Sequence, residues 1–531
     1  MPETSENRRL EASTLLVATV TSFIGPYLIS AVNVALPAIQ TEFAVSAVML
    51  SWVATSYLLS TALFLVPMGK IANIYGRKRI FTIGLLLLTA SAFFLSLAGS
   101  VPMLIFLRAV QGFSAAMIVS TGMAILTSVF PPDRRGRAIG IYVAAVYVGL
   151  SVGPTAGGVL THHFGWRSVF WSVLPLGVVS VAITMIFLKK EWKGQPGETF
   201  DLTGSVIYAA SLLLLMYGAS LAPELKGFIA AGCGILGFFL FFKHEQSIPW
   251  PVFEVGLFQN NRVFAFSSLA ALINYAATFA VTFMMSLYLQ LVKGFNPQTA
   301  GFILVAQPVV QALLSPVAGR WSDRVEPRFL ASIGMGLTAM GLIQLIFISP
   351  KTPVGYVLGI LVMLGVGFAL FSSPNMNALM GSVEKKHFGI ASGAVATMRL
   401  LGQMASMAIV TVIFSLCLGG KPVCASNQTL FLVSAKVIFL IFTGLCLAGI
   451  YFSLARGNLR GMRNDESIRV THPDPRQQTV CKPGMFVRRE TESSRSPGNG
   501  IVHIRTWPRL HSLFHPPVRP LSPARWESFV S

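Results

Sequence analysis

Charged side chains are scarce: only 11% of the 531 residues are Asp, Glu, Lys or Arg. An ordinary soluble domain carries roughly 25%. Hydrophobic residues make up 53% of the chain and mean hydropathy is +0.67. Soluble cores stop growing beyond about 250–300 residues, so a water-soluble fold cannot absorb this much apolar surface. Soluble globular, fibrous and disordered classes are excluded for most of the chain, and a polytopic membrane protein remains. Cysteine is scarce too. Cys233, Cys417, Cys424, Cys446 and Cys481 are odd in number and scattered, which implies no disulfide framework. Cys417 and Cys424 flank one loop and are either a pair or two inert thiols.

Zinc-ligand spacing, a glycine-rich phosphate loop and a basic stripe with interleaved aromatics are all missing. No metal, cofactor or nucleic acid is therefore expected, although the formal charge is +20. A cleavable leader is not expected either. Glu3, Glu6 and Glu11 spoil a basic n-region, and the first apolar run is too long for an h-region.

What is present is a series of long apolar runs. A bilayer core of about 30 Å needs roughly 20 helical residues. Fourteen runs qualify: 13–36, 48–68, 79–99, 101–126, 138–161, 167–188, 203–222, 226–243, 262–291, 298–319, 328–349, 353–374, 388–418 and 431–454. The connecting segments test this count, because cytoplasmic loops carry an excess of Lys and Arg. With the N-terminus inside, inner segments before the tail hold 19 Lys and Arg, and outer loops hold 5. Both termini are expected in the cytoplasm. The tail, 455–531, has 13 Lys and Arg, 6 acids and 9 prolines, and no periodicity. Disorder is the expected reading, with or without attraction to anionic lipid heads.

A repeat lies within the runs. Loop 69–79 begins with Gly69, places Asn73 four residues on, and continues through Gly76, Arg77 and Lys78. Loop 319–328 begins with Gly319, places Asp323 four residues on, and continues with Arg324. The offset is 250 residues. Each loop follows the second span of a six-span unit if 203–243 is set aside as a central insert. Two six-span halves around two extra spans is a transporter architecture.

These residues resemble the major facilitator superfamily, and within it the fourteen-span drug:proton antiporter family. The first loop looks like that family's cytoplasmic motif. Arg108 to Gly112 is similar to its Arg-x-x-Gln-Gly segment. Gly149, Gly153, Pro154, Gly157 and Gly158 match its antiporter motif in full. Asn33 to Pro37, Tyr288 to Gln290 and Arg399 to Gly402 also look like family segments. The resemblance covers about 13–454. It implies an all-α membrane protein with two six-helix bundles, 13–188 and 262–454, two extra central helices in 203–243, and a cytoplasmic N-terminus over 1–12. It also implies a multi-pass efflux carrier in the plasma (inner) membrane.

Each match has a physical reading as well. Glycines spaced by three or four residues clear one helix face for close approach. Pro154 removes a backbone donor and bends its helix. A smooth bent face suits rocking of one bundle on the other, or a static packing contact. The two basic loops, with Gly69, Asn73, Gly76, Arg77, Lys78, Gly319, Asp323 and Arg324, read as a conformational latch, or as ordinary positive-inside topology.

None of the 20 acids and none of the histidines lies inside an apolar run. Proton coupling usually needs a titrating group within the membrane. Where the family commonly carries an acid in the first span this chain has Leu28, and the loop-motif acid is Asn73. The Asn expected after Trp166-Arg167 is Val173. Two cations remain inside the runs, Arg108 and Arg399, while Lys436 is close enough to a boundary to snorkel. Without a membrane carboxylate, their partners are carbonyls, water, amides or an anionic substrate. Asn33, Gln111, Asn274, Gln307, Gln311, Asn375, Asn377 and Gln403 are the candidate amides.

The expected function is export of small amphipathic compounds by alternating access, with no covalent chemistry. The alternatives are carriage of neutral or anionic metabolites without proton coupling, and a non-transporting sensor on the same fold. The expected partners are a small-molecule substrate and the lipid bilayer, and a monomer is the expected state.

Overall fold

In a computed structural model the described residues are 5–193, 198–221, 224–249, 251–253, 255–383, 388–419, 423 and 427–457. Side chains of 5–7, 132–133, 136, 388–390 and 392 are also outside the description. The expectations for 1–4, for 458 onward in the tail, and for Cys424 lie outside the described residues. Cys417 is a free thiol.

The described residues form helices and no strand. Fourteen are long and apolar enough to cross a membrane. They are α1 (Ser5–Phe43), α2 (Ala47–Tyr75), α3 (Arg77–Ser96), α4 (Val101–Val129), α5 (Pro132–Phe164), α6 (Arg167–Phe187), α7 (Leu202–Leu221) and α8 (Leu225–Glu245). After a short helix, Val255–Asn260, come α9 (Arg262–Val292), α10 (Pro297–Arg324), α11 (Pro327–Ile346), α12 (Val354–Gly381), α13 (Phe388–Leu418) and α14 (Gln428–Ala455). Most helices outrun the apolar stretch that announced them, because helical hydrogen bonding continues into the polar boundary until a capping group or a glycine stops it.

Those stops are readable. Ser46 accepts from Met49 N at 3.2 Å to begin α2. Asn261 accepts from Phe264 N at 2.9 Å to begin α9, and Asn296 from Thr299 N at 2.7 Å to begin α10. Each such cap stabilises by about 1 kcal/mol. Gly76, at φ 122°, separates α2 from α3. Gly165, at φ 78°, separates α5 from α6.

Packing sorts the helices into two six-helix bundles and an added pair. In the first, α1 lies on α5, and α4 lies on α2 and α3. In the second, α12 lies on α10 and α11, and α14 on α9 and α11. The pair α7 and α8 pack on each other, and α7 touches α2 and α13. Burial follows this order. Of the most apolar window of α2, 78% is buried, against 17% for α8, so α8 is the peripheral helix that shows its side chains to lipid.

The bundles meet along α5 with α10, α2 with α13, and α1 with α9. Hydrogen bonds between them lie at one end, which we call the far end. Gln40 Nε2 donates to Val423 O at 2.7 Å, Ser51 and Thr411 hydroxyls pair at 3.0 Å, and Gln290 Nε2 donates to Val34 O at 2.9 Å. Ser286 Oγ donates to Asn33 O at 2.7 Å. The opposite end, which carries both repeated loops, is called the motif end.

Candidate functional site: a cationic interior and two basic loops

The loops come first, because glycine geometry shapes them. Arg77 Nε donates to Asn73 Oδ1 at 3.1 Å, and its Nη1 donates to Ser128 Oγ on α4 at 3.1 Å. The segment after α6 lies across this loop. Glu191 Oε1 accepts from Lys78 N at 2.8 Å, and Trp192 O from Arg77 N at 2.8 Å. A Cβ at Gly76 would come within 2.5 Å of the Glu191 carboxyl carbon, and the positive φ also requires glycine there. Lys70 beside Gly69 pairs with Glu198 at 3.1 Å. Asn73 cannot form an ion pair, and two acids from the linker bring negative charge to the loop instead. A carboxylate at the first turn of α3 also complements that helix's dipole.

In the second loop, the Asn377 amide donates to Ser322 Oγ, and to Gly319 O at 3.4 Å. Asp323 Oδ1 is 3.5 Å from the same amide, and Arg324 ends α10. Asn377, a cavity candidate by sequence, is thus placed with the motif-end loop.

Arg108 is almost fully buried within the first bundle. Its Nε donates to Val53 O at 3.2 Å and its Nη1 to Gln111 Oε1 at 2.6 Å. The guanidinium lies 4.5 Å from the centre of the Tyr57 ring. Carbonyl, amide and ring satisfy its charge inside the bundle. Gln111 Nε2 has no hydrogen-bond partner among the described residues.

A second buried guanidinium belongs to Arg456, which the sequence reading left in the tail. Its Nη1 donates to Asn375 Oδ1 at 2.8 Å and to Ser267 Oγ at 3.2 Å, while Asn375 Nδ2 donates to Ser267 O at 3.0 Å. Burial lowers its pKa to about 10, which leaves it charged at neutral pH. Asn375 therefore lies in a motif-end cluster of the second bundle. The only signal was position, since Arg456 is the first cation after the last apolar run.

Arg399 differs from both. It is half-buried on α13 and has no hydrogen bond or ion pair among the described residues. Its helix, α13, packs on α9 of its own bundle and on α2 of the first. One turn away, Gly402 lets α9 approach, and a Cβ there would lie 2.8 Å from the Tyr275 Cβ.

The remaining amides are dispersed. Asn33 is buried where α1 meets α9. Gln307 and Gln311 are buried on α10. Asn274 is fully buried on α9, and neither of its side-chain polar atoms has a partner among the described residues. No described acid lies mid-helix: Glu11, Glu42, Glu245 and Asp323 are near helix ends. Among the described residues no group of three or more His, Cys, Asp or Glu could hold a metal ion.

The glycines of α5 serve two contacts. A Cβ at Gly153 would lie 2.5 Å from Ser30 Cβ, and one at Gly157 would lie 2.6 Å from Ala31 Cα, both on α1. A Cβ at Gly158 would instead lie 2.5 Å from Pro297 O of α10, across the bundle boundary. Gly149 backs onto the Phe23 carbonyl of α1. Pro154 sits inside α5, and its carbonyl faces Gly301 of α10. Beside this contact is an apolar groove of about 630 Å³, lined by Tyr27, Ser151, Thr155, Ser172, Val305 and Val309 among others.

A family model described as Major Facilitator Superfamily matches residues 16–407 and 267–490. The riboflavin transporter RibZ of Clostridioides difficile is 27% identical over 433 residues, covering 80% of this chain and 93% of that protein. The multidrug resistance protein Stp of Mycobacterium tuberculosis is 29% identical over 384 residues, 71% of each chain. The tetracenomycin C resistance and export protein of Streptomyces glaucescens is 26% identical over 391 residues, 72% of each. Among solved structures, a bacterial homolog to the human lysosomal transporter Spinster, inward-facing and unoccupied, aligns with TM-score 0.61 at 16% identity. It covers 86% of this chain and 97% of that one. These structural likenesses concern the fold.

Proposed function

The chain belongs to the Major Facilitator Superfamily, and from that premise we propose that it exports small amphipathic compounds across the plasma (inner) membrane by alternating access. The observation that carries this reading is the joining of two six-helix bundles within one chain by a small set of hydrogen bonds at the far end, a contact that can part as the bundles rock. The Lys and Arg bias puts the motif end and both termini in the cytoplasm. The names of relatives that confer resistance or export compounds support outward movement.

The cycle needs no covalent step. Substrate enters from the motif end, the bundles rock about the α5–α10 and α2–α13 contacts, and the far-end hydrogen bonds part. The loop around Asn73 and Arg77, with Glu191 and Glu198 laid on it, holds one conformation as a latch. A monomer suffices for this cycle, because the boundary between the bundles is internal to the chain.

Arg399 supports a second reading, carriage of neutral or anionic metabolites without proton coupling. No described carboxylate sits mid-membrane to release a proton as access alternates. The deciding experiment reconstitutes the full chain in vesicles and follows efflux of an amphipathic dye. Efflux should persist when the proton gradient is collapsed at fixed membrane potential. Loss of efflux on collapse restores proton antiport, and no protein-dependent flux of any solute removes the transporter reading.

A further inference from the structure

The added helices meet their linkers through a contact that the transport cycle does not use. Asp201 stands just before α7 and Glu245 ends α8, both on the motif end. Asp201 Oδ1 accepts from Gly204 N at 3.0 Å and caps α7. Glu245 is 3% exposed, and its Oε2 accepts from Phe253 N at 2.9 Å. Its Oε1 is buried with no hydrogen-bond partner among the described residues. Both carboxyl groups crowd one glycine: a Cβ at Gly204 would collide with Asp201 Oδ2 and lie 2.6 Å from Glu245 Oε1. These two oxygens are therefore less than two hydrogen-bond lengths apart. We propose that Glu245 and Asp201 form a proton-binding site, in which a proton on Glu245 Oε1 bridges the two carboxyl groups and fastens the linkers on either side of α7 and α8.

Chemistry selects the proton and its seat. An ionised carboxylate only accepts, so two that face each other lack a donor and repel. One proton removes both penalties: Oε1–H donates, Asp201 Oδ2 accepts, and the pair keeps a single negative charge. That charge belongs on Asp201, where Gly204 N donates and His244 Nε2 lies 3.2 Å from each carboxyl oxygen. Glu245 has no ion pair among the described residues, so it takes the proton. Asp201 and His244 are the ionisable groups that face it, and the 251–253 segment adds only backbone donors, from Val252 and Phe253.

The bridge ties together more than one helix pair. On the Asp201 side the linker reaches the first bundle, where Glu198 pairs with Lys70 at 3.1 Å. On the Glu245 side Phe253 stacks on Phe258 at 5.2 Å between centroids, and Phe258 meets Phe264 of α9 at 5.0 Å. Helix α7 itself touches α2 and α13, one helix of each bundle. Loss of the proton loosens the added pair where it bears on both bundles. The site lies at the motif end, outside the bundle boundary, so it makes the fold sensitive to pH on that side and moves no proton across the membrane. The sign follows from linkage: the folded chain holds a proton that the unfolded chain releases, so stability falls as pH rises.

The test follows thermal melting of the purified full chain from about pH 5 to about pH 9. The wild-type melting temperature should fall toward the alkaline end by about 2 °C or more. Glu245→Gln puts an amide donor where the proton sits, keeps an acceptor for Phe253 N and cannot titrate. It should melt within about 1 °C of wild type at the acid end and lose most of the alkaline fall. His244→Gln keeps a donor beside Asp201 without an ionisable ring, and it should keep the fall. Infrared difference spectra of wild type against Glu245→Gln at neutral pH should show a carboxylic acid C=O band that shifts in D2O. The proposal is overturned if Glu245→Gln falls as wild type does, if His244→Gln abolishes the fall, or if the acid band is absent. None of these readouts measures flux, so their failure leaves the transporter reading standing.

Discussion

Arg108 and Arg399 are the same residue type in similar apolar surroundings, and the fold treats them in opposite ways. Arg108 is closed off inside the first bundle, where Val53 O, Gln111 and the Tyr57 ring surround it. Arg399 stands half-buried on α13, with no hydrogen bond or ion pair among the described residues. Placing an arginine at bilayer depth costs about 2.5–3.5 kcal/mol on insertion scales. The first bundle offsets that cost with its own polar groups. The second leaves its arginine half-buried, so less of that cost arises there.

The largest expected effect breaks this contrast from the Arg108 side. Arg108→Ala leaves Gln111 Oε1 buried without a partner and empties the volume over Tyr57. A destabilisation of about 3 kcal/mol or more follows. Thermal melting of the purified protein should fall steeply, and transport of every solute should fall with it. Arg399→Gln should melt close to wild type, within about 0.5 kcal/mol, because it gives up no protein hydrogen bond. Equal melting of the two variants would erase the distinction.

A smaller effect tests whether the bundle boundary or the bundle interior governs movement. Gly157→Leu drives a side chain into Ala31 of α1 within the first bundle, an overpacking of about 1–3 kcal/mol. Gly158→Leu strikes Pro297 of α10 across the boundary. Melting should drop more for the first. For the second, transport should be lost with less change in melting, as read by paired melting and efflux measurements.

The smallest effect concerns the linker. Glu191→Ala removes the acceptor for Lys78 N at the start of α3 and should cost about 1 kcal/mol, as losing a helix cap does. If Glu191 stands in for the acid absent at position 73, Asn73→Asp in the same chain should recover part of the lost transport rate. A double variant no faster than Glu191→Ala would leave Glu191 as a cap alone.

Much of the fold was legible because hydrocarbon imposes a simple rule on length and apolarity, and the fourteen runs became fourteen helices. The loop repeat and the α5 glycines were legible because they recur at fixed spacing. The cavity amides were not separable. Asn375 went to Arg456, Asn377 to Ser322 beside Asp323, and Gln111 to Arg108, since an amide's partner depends on which helices meet at its depth. Glu191 and Glu198 were visible only as loop acids. Their contacts join segments more than a hundred residues apart, and no periodicity within a loop encodes such a pairing.

The sequence by itself determined that this chain spans a membrane many times, in two related halves with a basic loop in each. Those properties are sums over local composition, and composition is what the bilayer reads. Only the tertiary structure decided which guanidinium is enclosed and which stays half-buried without a partner among the described residues. Satisfaction of a charge is a property of surroundings, and α13 meets its surroundings only when the two bundles come together.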